Sequence, residues 1–192
     1  SEEHRHHHAC GVAVADEVTG PYTVLTADRP LTPWPSNDLS LFEEKNGRVY
    51  AVFNNGWTNI HHIYVAELDL GKMRLKEKPV KLISQEPGRW DGGGIEGAYI
   101  VKESGHYYLF YSSWTHGYAV GYAKAKNIYG PWTKSAANPL FGALRDQGGI
   151  RYGQKIDDPD FPYWEIGHNS VFRGPDGRYW LSCHAYTRES KK

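Results

Sequence analysis

Short runs of β-branched and aromatic residues, separated by polar stretches rich in Gly, Pro, Asn and Asp, recur along this chain. Leu39-Ser40-Leu41-Phe42 and Val49-Tyr50-Ala51-Val52-Phe53 flank the turn Glu43-Glu44-Lys45-Asn46-Gly47, which predicts a β-hairpin. Two further stretches read the same way. Tyr99-Ile100-Val101 turns through Glu103-Ser104-Gly105 into Tyr107–Tyr111, and Ser170-Val171-Phe172 turns through Pro175-Asp176-Gly177 into Tyr179-Trp180-Leu181. A third strand is predicted at Gly11–Ala15, Ile63–Ala66 and Val120–Lys124. The first and last of these run on to one kind of turn, Gly20-Pro21-Tyr22 and Gly130-Pro131-Trp132, where proline fixes φ and glycine permits the bend.

The hairpins belong to an internal repeat. Asp38 is followed four residues later by Phe42 and nine later by Gly47; Glu96 is followed by Ile100 and Gly105, and His168 by Phe172 and Gly177. From Asp38 to Glu96 is 96 − 38 = 58 residues, and from Glu96 to His168 is 168 − 96 = 72. Units of this size with three or four strands each, punctuated by Gly/Pro turns, predict propeller blades. The excess of the longer unit falls in the connection from Gly142 to Tyr163. The expected fold is therefore all-β: a five-bladed β-propeller present only in part, as one domain over residues 1–192. Residues 1–30 form the end of blade one, 31–90 blade two, 91–140 blade three, and 141–192 a linker loop and the start of blade four. Strand-start residues of successive blades converge on one end of the central channel, so Asp38, Glu96 and His168 should face one another. The bland alternative is three solvated polar residues at strand starts.

Composition narrows the ligand. Lys plus Arg equals Asp plus Glu at 22 each, so no basic field calls for nucleic acid, and no apolar run is long enough to cross a bilayer. A neutral ligand fits better. Aromatic residues make up 14% of the chain, and those outside the strand runs, Trp57, Trp90 and Trp114, are either core residues or platforms for sugar rings. Cys10 and Cys183 are too few for a disulfide framework and read as buried free thiols. His61-His62 and His116 both precede a third strand, as His6-His7-His8 precedes the first, so a His-bearing loop belongs to the repeat. Those histidines either bond substrate near the axis or close a loop; no His-x-x-x-His or Cys-x-x-Cys spacing suggests zinc. Ser1–His8 is polar, without a leader signal, and since the first residue is not Met this leaves location open.

Taken in order, Gly11–Asp16 through Gly20-Pro21-Tyr22, Asn37-Asp38-Leu39-Ser40-Leu41-Phe42, Ile95-Glu96-Gly97-Ala98 with Tyr107–Ser112, and Gly167–Phe172 with His184-Ala185 resemble the five-bladed propeller glycosidases of glycoside hydrolase family 43 and its clan. The resemblance covers nearly the whole chain. It implies hydrolysis of arabinosyl or xylosyl linkages of plant-type polysaccharides with inversion at the anomeric carbon, without a required cofactor. It assigns Glu96 as general acid and Asp38 as the carboxylate that orients it and keeps its pKa up, since two nearby carboxyl groups resist ionising together. It puts His168 on the axis beside an ion or water, structural Ca2+ being the candidate, and an oligosaccharide or polysaccharide against Trp57, Trp114, His61, His116 and Asn37. It also implies an enzyme that is secreted or periplasmic.

Inversion requires a base across the sugar from the acid, roughly 6.5–9.5 Å away, with a water between. In the family this is an aspartate on the inner strand of blade one. Gly121 aligns with Gly11, an offset of 121 − 11 = 110, so the equivalent of Glu96 lies about 14 residues before Ser1. The base is thus expected outside this chain, which alone should be incomplete or inactive, and a second fragment or chain is a candidate partner to close the propeller. Asp157, Asp158 and Asp160 are the acidic cluster to check as substitutes. The family usually has proline after Glu-Gly; Ala98 stands there, leaving the backbone under Glu96 less constrained. Competing readings are a related-clan glycosidase acting on fructosides or agar oligosaccharides, a non-catalytic sugar-binding propeller, and a WD-type scaffold, which would need periodic Trp-Asp pairs that this chain lacks.

Overall fold

The computed structural model describes residues 8–56, 58–115, 117–142 and 163–187. All regular elements among them are strands, arranged as four antiparallel sheets in chain order. The first pairs β1 (Ala13–Val14) with β2 (Thr23–Val24). The second runs β3 (Ser36–Glu43), β4 (Val49–Asn55), β5 (His62–Asp69), β6 (Arg74–Leu75), with β7 (Val80–Ser84) also paired to β5. The third repeats that plan with β8 (Glu96–Glu103), β9 (His106–Ser113), β10 (Ala119–Ala125) and β11 (Thr133–Lys134), β12 (Phe141–Gly142) pairing β10. The fourth pairs β13 (Tyr163–Arg173) with β14 (Tyr179–Thr187). The offset of 110 holds in the pairing itself: Ala13 faces Val24 in the first sheet, and Ala123 faces Lys134 in the third.

The core lies chiefly between the second and third sheets. Strand alternation puts Tyr50 and Val52 of β4, with Ile63 and Val65 of β5, against Ile95, Ile100, Leu109 and Tyr111. The intervening residues of β4, Ala51 and Phe53, face the other way and pack with Leu31, Leu68 and Trp34, so β4 is buried on both faces. Two polar clusters bridge this seam. Lys102 donates to both oxygens of the buried Glu44 at 3.0 Å, and Tyr107 donates to the same carboxylate. Lys134 Nζ donates to Ser84 C=O of β7 at 2.5 Å and lies 2.6 Å from Asp91 Oδ2, which also accepts from Tyr111 at 3.2 Å; Asp91 is 1% exposed. Trp90 proves to be a core residue, its ring filling the space where Gly121 lacks a side chain.

Among the described residues, the fourth sheet is covered on one side only. Ile166, Asn169 and Val171 of β13 are buried, while β14 is exposed along nearly its whole length. That corrects one expectation: Cys10 is buried, 3.5 Å from Ser36 Oγ, but Cys183 is exposed because no described element covers β14.

Candidate active site

The inner strands β3, β8 and β13 each begin with a register break. Pairing jumps from Asn37↔Asn54 to Ser40↔Val52, from Glu96↔Ser112 to Tyr99↔Phe110, and from Gly167↔His184 to Ser170↔Ser182. Bulges of this kind re-aim side chains at strand ends. They turn Asp38, Glu96 and His168 toward one another, with one donor atom from each within 4.8 Å of the others.

The pairing also corrects the repeat by one residue. Asp38 and His168 occupy the same bulge position with φ of 54° and 50°, but its counterpart in the third sheet is Gly97, φ 61°. Glu96 is equivalent to Asn37 and Gly167 instead. The cause is loop length: Glu44 N–H bonds Arg48 C=O and Gly174 N–H bonds Arg178 C=O around three-residue turns, whereas Glu103 pairs His106 around Ser104-Gly105 alone. Ser104 and Gly105 both have positive φ, as a two-residue hairpin loop requires. Counting back from the turn glycine therefore lands one residue off in the third sheet.

Hydrogen bonds tie the strand starts together from sheet to sheet. Gly97 N–H donates to Asp38 Oδ2 at 3.1 Å, Ser40 Oγ donates to Ala98 C=O at 2.7 Å, and His168 N–H donates to Ser112 Oγ at 2.8 Å. The first two hold the backbone on which Glu96 sits, so Ala98 in place of proline leaves it anchored. Tyr118 donates its hydroxyl to Glu96 Oε1. Burial pushes the Glu96 carboxyl above the ordinary range, and Asp38 adds to this, while Tyr118, His168 and His184 pull the other way. Burial is thus the larger cause, and the neighbouring carboxylate assigned that job is the smaller one. Burial and the Glu96 bond also raise the Tyr118 phenol, keeping it a donor at neutral pH.

Glu96 and Tyr118 open onto a cavity of about 620 Å³ lined also by His8, Asn37, Thr58, Asn59, His61 and Trp114. Trp114, 38% exposed, is the aromatic surface there, and the His61 ring stands edge-on to it at 5.1 Å. His61 Nδ1 is buried without a partner among the described residues, and burial lowers its pKa. Asn37 Oδ1 accepts from Asn54 at 2.9 Å. His62 bonds Ser84 Oγ at 2.7 Å and closes its loop. Trp57, His116 and the Asp157, Asp158, Asp160 cluster lie outside the described residues.

Tyr118 and His184 were not anticipated as site residues. Strand pairing supplies the signal for Tyr118: Ile63 faces Asn54 as Val120 faces Ser112, which makes Tyr118 the counterpart of His61. The offset of 110 makes His8 their counterpart in the first unit. Aligning the loops on histidine alone had picked His116 instead.

Asp38, Glu96 and His168 are also the residues that could hold a cation. Two carboxylates and one imidazole fall well short of the six to eight oxygen ligands Ca2+ takes, so water would have to supply most of its shell.

Residues 1–192 match the family model described as glycosyl hydrolases family 43. Among curated proteins, the chain is 27% identical over 219 residues to the extracellular endo-α-(1→5)-L-arabinanase of Thermotoga petrophila, covering 92% of this chain and 45% of the relative. It is 26% identical to a xylosidase/arabinosidase of Butyrivibrio fibrisolvens, covering 82% and 32%. Among solved structures, an endo-1,4-β-xylanase from Bacteroides thetaiotaomicron superposes with a TM-score of 0.75 at 29% identity, over 94% of this chain and 58% of that one. A thermostable family-43 glycoside hydrolase gives 0.73 at 27%, over 92% and 57%. The chain thus spans less than half the length of these two curated relatives. Its four sheets are part of a five-bladed β-propeller and are called blades one to four in chain order.

Proposed function

The chain belongs to glycosyl hydrolase family 43, and we propose that it carries the acid half of an inverting glycosidase site for arabinosyl or xylosyl linkages. The observation that carries this reading is Glu96: a carboxyl held above its ordinary pKa by burial, beside Asp38, at the wall of an aromatic-bearing cavity. A carboxyl that holds its proton more firmly than an ordinary glutamate is suited to give it to a departing glycosidic oxygen. In this reading Glu96 protonates the leaving group. Asp38, fixed by the Gly97 N–H, holds the acid in place. A base from outside residues 1–192 activates water on the opposite face of the sugar.

The cavity volume lies in the usual range for small-molecule sites. Trp114 stacks on a sugar ring, and His61 and Asn37 bond its hydroxyls; Trp57 and His116 belong to the same proposed set. A cation beside His168 would be held mainly by water. Secretion is supported by the extracellular relative. The bare face of the fourth sheet supports completion of the propeller by further polypeptide, in the same chain or a second one.

The test is hydrolysis of aryl α-L-arabinofuranosides and aryl β-D-xylosides by the full-length protein, with the first-formed sugar followed by NMR. Release of the inverted anomer is the expected result; the retained anomer, or turnover of neither substrate, contradicts the proposal. A second reading, a sugar-binding propeller without catalysis, is favoured by one observation: Asp38 and Glu96 are the two carboxylates in the axial cluster among the described residues. Binding of arabino-oligosaccharides by a full-length protein that hydrolyses neither glycoside would select it.

A further inference from the structure

Tyr118 reaches Glu96 from an unusual direction. Glu96 starts the inner strand of blade three, but Tyr118 comes from the loop ahead of the third strand, β10, and its ring lies across the junction with blade four. Blade four makes room for it. Its residue at the position equivalent to Glu96 is Gly167, and a Cβ there would fall 1.8 Å from Tyr118 Cδ1. The phenol ring therefore occupies space that any other residue at 167 would need. From the β14 side the His184 ring packs on it, centroids 5.0 Å apart and planes inclined by 35°. A ring set between a glycine backbone and an imidazole has little freedom to swing, so its hydroxyl meets Glu96 Oε1 at a place fixed by blade four. The counterpart residue in blade two, His61, turns edge-on to Trp114, so the loop position does not by itself dictate contact with a carboxyl group.

We propose that Tyr118 is a positioning residue for Glu96, holding Oε1 so that the transferable proton sits on Oε2 and points at the departing glycosidic oxygen. The inference rests on the reading of Glu96 as general acid. A donor on Oε1 occupies its lone pair and disfavours a proton there, while rotation about the last side-chain bond of Glu96 is restrained. Proton transfer then breaks the Oε2–H bond as the glycosidic C–O bond breaks. The proton goes to the leaving oxygen, and the carboxylate left behind keeps its bond from Tyr118. Because a misplacement of about 1 Å can cost about 100-fold in rate, one such bond has a measurable share in acid catalysis. The arrangement also makes the acid of blade three depend on blade four being docked.

Tyr118→Phe keeps the ring and its packing on Gly167 and His184 and removes only the hydroxyl. In the full-length protein, kcat for a glycoside with a poor leaving group, such as phenol, is expected to fall about 10- to 100-fold. The fall with 2,4-dinitrophenol, which departs without protonation, should be under about 3-fold, KM should change less than about 2-fold, and the thermal midpoint should hold. Glu96→Gln is measured alongside and should show the same split more strongly. If Glu96→Gln splits the two substrates and Tyr118→Phe behaves like the parent, the positioning role is overturned while the acid assignment stands. Equal loss on both substrates in Tyr118→Phe also overturns it, since a residue that only walls the site has no leaving-group preference. If Glu96→Gln shows no split, the acid assignment fails and this inference falls with it. Should turnover be too slow to follow, the ζ-carbon resonance of Tyr118 in tyrosine-labelled protein decides: it shifts on Glu96→Gln if the hydroxyl serves that carboxyl group, and an unmoved resonance overturns the proposal.

Discussion

The seam between blades two and three and the fourth sheet are made from the same kinds of residue, and among the described residues only the first is closed. At the seam, Tyr50, Val52, Ile63, Leu109 and Tyr111 are fully buried. On the fourth sheet Tyr163, Phe172, Tyr179, Trp180 and Tyr186 stand between 45% and 54% exposed. Strand-forming residues specify a sheet, but whether a sheet becomes core depends on what lies over it. The acid site bridges the two regimes: Asp38 and Glu96 rise from the closed seam, whereas His168 and the ring packing of Tyr118 depend on the half-covered sheet.

Substitutions rank that difference. Leu109→Ala, at a position with no exposed surface, should cost about 3–4 kcal/mol in urea unfolding. Lys134→Met strands Asp91 as a buried unpaired charge and should cost about 3 kcal/mol, with much of it recovered by also replacing Asp91 with Asn. Glu96→Gln tests the site through pH. The raised pKa of Glu96 means that the folded state keeps its proton to higher pH than the unfolded state does. The parent therefore loses stability as pH rises from the ordinary glutamate range through the raised value, and none below that range. The Gln variant is spared that loss, so its thermal midpoint should gain on the parent as pH rises above the ordinary glutamate value of about 4.3; a gap that narrows would contradict the assignment. Trp180→Ala, at a half-exposed position opposite Phe172, should cost the 192-residue chain about 1 kcal/mol, and a loss as large as that of Leu109→Ala would mean that the ring is covered in solution. Smallest of all in energy, a thiol reagent should modify Cys183 in the native protein and leave Cys10 untouched until it unfolds.

Much of this architecture was legible in the residues. The hairpins, the third strands and the shared Gly-Pro turns follow from strand runs and turn chemistry, and the convergence of Asp38, Glu96 and His168 follows from a repeat whose strands must start at one place. What escaped was set by geometry that no single stretch encodes. One residue fewer in the Ser104-Gly105 turn moved Glu96 off the position of Asp38, and only strand pairing reveals it. Tyr118 escaped because its role depends on Gly167 and His184, which are distant in sequence. Cys183 left its expected buried environment, and Trp90 took the core one of its two readings, for the same reason, since burial is decided by the neighbouring sheet.

The most direct test of the acid assignment is a carbon-detected NMR titration of the Glu96 carboxyl in chelator-treated buffer, its resonance identified by loss in Glu96→Gln. The structure predicts a pKa above the ordinary glutamate value of about 4.3, falling when Asp38 is replaced by Asn. A Glu96 that titrates at or below the ordinary value, indifferent to Asp38, would contradict the account.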